Sequence, residues 1–297
     1  MSDADGIPRF RGWIRPGPIP PGGIEREDGE TLDWISGHWR VFQYERGHRF
    51  SVDDVLCAWY ASSYAPRVER YLDIGSGIGS VAFTVAWRLP GCRVVTVEAQ
   101  DISLRLADKS ARHNGVADRF TLIHGDLRDE TLLDDLSAHH GPFDLVTGSP
   151  PYWPVGTALA AQHPQAIPAR LEVRGDIGDY ARCAVRMLAP GGVFGCVHQA
   201  SQDLRVRQAL DDAGLALLRT RAVRFKEDAP ASESGIALYL SARKGAVPRA
   251  YAEGRNGKPL VEPDLVLRCR DGRVHPEYAT IRLSYGFPPG DADADER

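Results

Sequence analysis

The stretch Tyr71-Leu72-Asp73-Ile74-Gly75-Ser76-Gly77-Ile78-Gly79-Ser80 constrains this chain more than any other. A short apolar run ends in a carboxylate, three glycines alternate with small or apolar residues, and residues 81–89 continue as a mostly apolar helix. This is the pattern of a buried strand entering a tight turn that opens a helix. Glycine serves where the backbone turns sharply and where main-chain N–H groups must approach a ligand without a Cβ in the way. The dinucleotide spacing G-x-G-x-x-G needs glycine at position 80, which is Ser80 here.

From Tyr71 onward strands and helices alternate. Residues 93–98, 120–124, 143–147 and 193–198 read as strands, and 101–114, 130–139, 176–188 and 201–213 as helices. Residues 217–225 and 236–242 read as a closing strand pair, and the helix at 176–188 is expected to stop at Pro190-Gly191-Gly192. Such alternation predicts an α/β fold, Rossmann-like and doubly wound, with a mainly parallel seven-stranded sheet covered on both faces. Its ligand crevice belongs at the carboxyl ends of the strands. Ahead of this core, residues 39–44 alternate like a strand, Ser51 is placed to cap a helix over 52–63, and Pro66 to end it. Residues 1–33, rich in proline and glycine, read as an extended arm; 34–286 form the α/β domain, and 287–297 a disordered acidic tail.

At 297 residues, with 43% hydrophobic and 26% charged, the composition is that of a globular chain with one large core. No apolar run approaches the ~18 residues that span a bilayer, and no leader pattern opens the chain. The five cysteines, 57, 92, 183, 196 and 269, are odd in number and contain no C-x-x-C pair. Reduced, buried thiols, no metal site and a cytoplasmic setting are the expectations. The net charge of −4 gives no global case for nucleic acid, yet residues 205–226 and 243–282 each carry a local excess of basic residues. They are expected to offer a surface for a phosphate backbone.

Four features fall at the carboxyl ends of successive strands: Asp73 with Gly75, Gly77 and Gly79; Glu98; Asp126; and Ser149-Pro150-Pro151-Tyr152. Glu98 stands where an acid accepts hydrogen bonds from ribose hydroxyls, and Asp126 suits an acceptor for an adenine amino group. Two prolines in succession remove two N–H donors and leave carbonyls free. The Ser149 side chain and the Pro150 carbonyl can then accept both hydrogens of one planar –NH2 group. Tyr152 supplies a face on which a planar acceptor stacks.

On these residues the chain resembles the class I S-adenosylmethionine (SAM) methyltransferases, in particular the tRNA (valine) adenine-N6 methyltransferases with their (N/S)-P-P-Y motif. The matching stretches are Phe42-Gln43, Arg49 to Leu56, Leu72 to Gly79, Val97 to Gln100, Gly125-Asp126 and Pro150-Pro151-Tyr152. Leu265-Val266-Leu267, Asp271-Gly272 and Glu277-Tyr278 match the family's terminal segment. The resemblance implies SAM as cofactor, with Asp53, Ala99 and Leu127 flanking it, and an exocyclic amine, adenine N6 in tRNA or other RNA, as acceptor. Ser149 stands where the tRNA enzymes usually carry asparagine. A protein glutamine or small-molecule amine as acceptor, a non-catalytic scaffold subunit and a nicotinamide oxidoreductase are the rival readings. No membrane partner is expected, and both monomer and dimer agree with the composition.

Overall fold

The computed structural model describes residues 9–10, 13–65, 67–156, 163–230, 235–252 and 258–291. A hairpin of β1 (Glu30–Ser36) and β2 (Trp39–Tyr44) leads into α1 (Val52–Tyr64). Then follow β3 (Arg70–Ile74), α2 (Ser80–Arg88), β4 (Arg93–Glu98), α3 (Asp101–His113), β5 (Phe120–His124), α4 (Glu130–His139) and β6 (Phe143–Gly148). The second half holds α5 (Ile177–Met187), β7 (Leu188–Gln199), α6 (Asp203–Asp212), β8 (Leu215–Arg224), β9 (Ile236–Arg243) and α7 (Pro276–Ser284).

The sheet order is β5-β4-β3-β6-β7-β9-β8, and the two-residue strands Leu260–Val261 and Leu265–Val266 both pair with β8. Within this sheet β9 runs antiparallel to β7 and β8, while β3 to β7 pair in parallel. The expected seven-stranded, mainly parallel, doubly wound sheet is therefore present. Its strands alternate between two cores: Tyr71, Val94 and Leu145 face one layer, and Leu72, Ile74, Val95, Val97 and Val146 the other. The chain leaves β3 toward β4 and β5, then returns to lay β6 on the opposite side of β3. The carboxyl ends of β3 and β6 diverge there and open a crevice.

Local chemistry sets the helix entries. Ser51 caps α1 in a capping box with Asp54, and Asp176 caps α5 in another with Asp179. Gly79, at φ 83°, is the left-handed entry to α2. Two boundaries differ from the sequence reading. β7 begins at Leu188, because its pairing with β6 jumps from Phe143↔Leu188 to Leu145↔Val193 and so absorbs Pro190-Gly191-Gly192 as a bulge. The helix expected from 201 starts as a 3-10 turn at Ala200–Gln202 before α6. Pro66 lies outside the described residues.

β1 starts at Glu30, inside the stretch read as arm. The preceding residues are strapped down: Arg15 donates to the Gly37 carbonyl at 2.7 Å and stacks 4.1 Å above the Trp34 ring. Gly22 N–H donates to the His113 carbonyl at 3.1 Å. Lys109 of α3 bonds Glu30 at 2.6 Å and Glu27 at 3.1 Å, pinning the hairpin to that helix. At the other end, Phe287 packs on the core and Asp291 accepts from Val274 N–H at 2.8 Å, so the start of the expected disordered tail is ordered. Four of the cysteines are buried and Cys269 is only partly so. Among the described residues no helix is long and apolar enough to cross a membrane, and no group of three His, Cys, Asp or Glu could hold a metal ion.

Beside β8, Glu262 accepts from the Tyr60 hydroxyl at 2.5 Å and from Arg219 Nε at 3.0 Å, while Arg219 lies 3.5 Å over the Tyr64 ring. This tie joins the segment after β9 to α1. Glu262→Ala strands a poorly exposed guanidinium and a buried phenol, and should lower unfolding stability by about 3 kcal/mol. Urea denaturation monitored by tryptophan fluorescence checks this.

Candidate active site

A cleft of about 500 Å³ opens at the diverging ends of β3 and β6, the size of a small-ligand pocket. It is lined by Asp53, Asp73, Gly75, Gly77, Glu98, Ala99, Asp126, Leu127, Ser149, Pro150, Pro151 and Tyr152, twelve of the thirteen residues singled out from the sequence. Gly79 stands behind the wall, where a Cβ would meet the Phe83 ring at 2.9 Å. Its role is the turn, not the lining.

Gly75 and Gly77 also have positive φ, 62° and 56°. A side chain on Gly75 would strike the Tyr180 hydroxyl, whereas on Gly77 it would point into open cleft with nothing within 4 Å. Gly77 N–H donates to Glu98 Oε2 at 2.7 Å and Gln100 N–H to Glu98 Oε1 at 2.7 Å. Burial raises the Glu98 carboxyl above its ordinary pKa, against these two bonds. Each oxygen keeps a further lone pair for a ligand hydroxyl.

Asp73 is 1% exposed; Oδ1 accepts from Thr147 Oγ1 at 2.6 Å, and Oδ2 is buried without a partner. Burial, opposed by the Thr147 bond and reinforced by Asp54, pushes its pKa to about 8. Burial likewise lifts Asp54, on the first turn of α1, to about 7. Two buried acids with no cation beside them among the described residues, an orphan acceptor and the open space over Gly77 form a cradle that fits a cationic ligand carrying hydroxyls. Asp126 is engaged otherwise: both its oxygens accept from Arg128, at 2.9 and 2.6 Å, which lowers its pKa.

On the β6 side, the Tyr152 hydroxyl donates to Asp53 Oδ2 at 2.8 Å, its carbonyl accepts from Gln202 at 2.7 Å, and its ring leans on His198 at 5.1 Å. The tetrapeptide is thereby fastened to the start of α1 and to the turn after β7. Sequence reasoning missed the remaining walls. Gln165, 1% exposed, accepts from His48 N–H at 3.1 Å and donates to Ser103 Oγ at 3.0 Å. Trp153, 39% exposed, lines the cleft beside Tyr152, with Arg170 and Arg174 nearby. Trp153 directly follows the Pro-Pro-Tyr motif, a proximity available from sequence; the residues beyond 163 carried no motif.

The first basic stretch is mostly neutralised, the second only in part. Arg205 pairs with Glu172 and Asp176, Arg207 with Asp203, Arg219 with Glu262, Arg221 with Glu277, Arg224 with Asp264 and Lys244 with Asp211. The phosphate-binding surface expected from residues 205–226 loses most of its free charge to these pairs.

A doubly wound sheet with a glycine turn, a ribose-type acid and a Ser-Pro-Pro-Tyr edge at one switch point defines the class as SAM-dependent methyltransferases. The comparisons agree. The sequence model of the RNA cap guanine-N2 methyltransferase family matches residues 68–156. A 4-amino-L-phenylalanine/4-methylamino-L-phenylalanine methyltransferase of Streptomyces pristinaespiralis is 36% identical over 63% of this chain and 68% of its own. A release factor glutamine methyltransferase of Chlorobaculum tepidum is 37% identical over 44% of this chain and 47% of its own. A tRNA1(Val) (adenine(37)-N6)-methyltransferase of Dyadobacter fermentans is 24% identical over 74% of this chain and 82% of its own. For the fold alone, a predicted O-methyltransferase structure from Agrobacterium tumefaciens superposes with TM-score 0.57 at 15% identity, covering 80% of this chain and 98% of that one. The chain belongs to the class I SAM-dependent methyltransferases and is an N-methyltransferase that uses SAM.

Gly77→Val puts a branched side chain into the open cleft at positive φ and should abolish SAM binding in calorimetry while the chain stays folded by circular dichroism. A second expectation concerns pH. Without ligand, Asp54 and Asp73 are protonated below about 7 and 8; a cation favours their charged forms, so SAM binding releases protons. Affinity for SAM should rise with pH up to about 8 and level off above it, as read by titrations in buffers of different ionisation enthalpy.

Proposed function

We propose that this protein methylates the exocyclic amino group of an adenine in RNA. The observation that carries the reading is the Ser149-Pro150-Pro151-Tyr152 edge, fastened by Asp53 and Gln202 and sharing one cleft with the glycine turn. Gly75, Gly77 and Glu98 would hold the sugar side of SAM, Asp73 its cationic side, and Asp126 with Leu127 its adenine; Asp53 and Ala99 complete the wall. When bound, SAM supplies a methyl group on a cationic sulfonium. Ser149 and Pro150 accept the two amine hydrogens and turn the nitrogen lone pair out of conjugation. The acids exclude bulk water and balance the positive charge. Positioning, not a strong base, carries most of the rate. The extent of the match to the Dyadobacter tRNA enzyme supports RNA as acceptor.

A small aromatic amine is the second reading, favoured by the ion-paired arginines and by the Streptomyces relative. Incubation with labelled SAM and either an unmodified tRNA transcript or 4-amino-L-phenylalanine separates the two. N6-methyladenine is expected in the digested transcript; label confined to the amino acid would transfer the assignment to the second reading. Ser149→Ala should raise the barrier to turnover with the true acceptor by about 0.5–1.5 kcal/mol. Its SAM affinity, measured separately, should stay unchanged.

A further inference from the structure

Four basic side chains, His48, Arg49, Arg170 and Arg174, line the cleft alongside its acids. Two of the arginines are committed. Arg49 holds Asp33 and Thr31, each at 3.0 Å, and Arg174 donates to the Ala99 carbonyl at 2.5 Å. Nearby, Arg128 is closed on Asp126, and Arg205 on Glu172 and Asp176. Arg170 is different: exposed and lining the cleft, it has no hydrogen bond or ion pair from its side chain to the described residues.

Its backbone, by contrast, is fixed on both flanks. Trp153 N–H donates to the Arg170 carbonyl at 3.2 Å, and Glu172 N–H to the Trp153 carbonyl at 2.9 Å. Arg170 is thus tied to the residue that follows Ser149-Pro150-Pro151-Tyr152. On the other side, Gln165 anchors the short helix Ala166–Arg170 to His48 and Ser103. Burial and then the Arg170 charge lower the pKa of the His48 imidazole, opposed by Asp53. A guanidinium without a partner among the described residues, on a backbone held beside an amine-holding edge, suits a planar oxyanion, which it meets with two parallel hydrogen bonds.

We propose that Arg170 receives an oxyanion carried by the acceptor, a nucleotide phosphate or an amino-acid carboxylate, while Ser149 and Pro150 hold the amine. The inference rests on the N-methyltransferase reading of that edge and adds the second point by which the acceptor is oriented. Two attachment points fix a planar amine in direction as well as place, which a single edge does not.

The test is calorimetric titration of the full chain, loaded with S-adenosylhomocysteine, with two matched pairs of probes. These are adenosine 5′-monophosphate against adenosine, and 4-amino-L-phenylalanine against 4-aminophenethylamine. In one pair the wild type should prefer the anionic member by about tenfold, as expected for one charge-assisted bond. Arg170→Gln should bring that pair to parity, Arg170→Lys should restore part of the preference, and affinity for S-adenosylhomocysteine should not change. The pair that responds identifies the source of the oxyanion. Parity in both pairs, a preference that survives Arg170→Gln, or no binding of either anionic probe at millimolar concentration overturns the inference. If the preference collapses as expected but neither a tRNA transcript nor 4-amino-L-phenylalanine accepts label from SAM, the oxyanion site stands and the methyl-acceptor reading falls.

Discussion

Asp73 is a buried carboxylate near the carboxyl end of β3, with one oxygen bonded to Thr147 and the other without a partner among the described residues. Burying an unpaired charge is costly, so the group keeps its proton at neutral pH until a cation arrives. The rest of the site follows from this. Asp54, bonded to Ser51 N–H in the capped turn of α1, is likewise raised by burial, and Glu98 is held by two backbone amides at the end of β4. The protein therefore stores an affinity for positive charge in protonated acids, and a ligand such as SAM that neutralises them gains what burial cost.

Topology decides where this happens. Parallel strands deliver their carboxyl ends to one edge, and the reversal of strand order at β3 and β6 leaves a gap there. The glycine turn enters the gap from β3, the proline edge from β6. Neither element makes a site alone. In the proposed reading, their opposition across the gap would present a methyl donor to an amine.

Which residues line the gap was legible in the sequence because their placement depends on local rules. Positive φ demands glycine at 75, 77 and 79, buried strands are uniformly apolar, and two prolines at a strand end are hard to explain otherwise. What could not be read were contacts between residues far apart in the chain. The ion pairs of Arg219 with Glu262 and Arg221 with Glu277 cancel charges that, counted along the sequence, look like a basic surface. Gln165 and Arg170 carry no motif, and their importance comes only from what the fold sets against them. Pro190-Gly191-Gly192 reads as a helix stop, and the bulge it forms in β7 is visible only in the pairing with β6.

Gln165 has a mechanical consequence. One buried amide spans from the main chain of His48 to the hydroxyl of Ser103, so the loop before α1 and the front of α3 share a single rivet. The short helix that carries Arg170 hangs from the same point. Parting these walls leaves a buried donor and a buried acceptor unmatched together, at about 1–3 kcal/mol for each. The rim of the cleft therefore yields in one piece, and a large acceptor must meet that threshold in full before any of its atoms reach the interior.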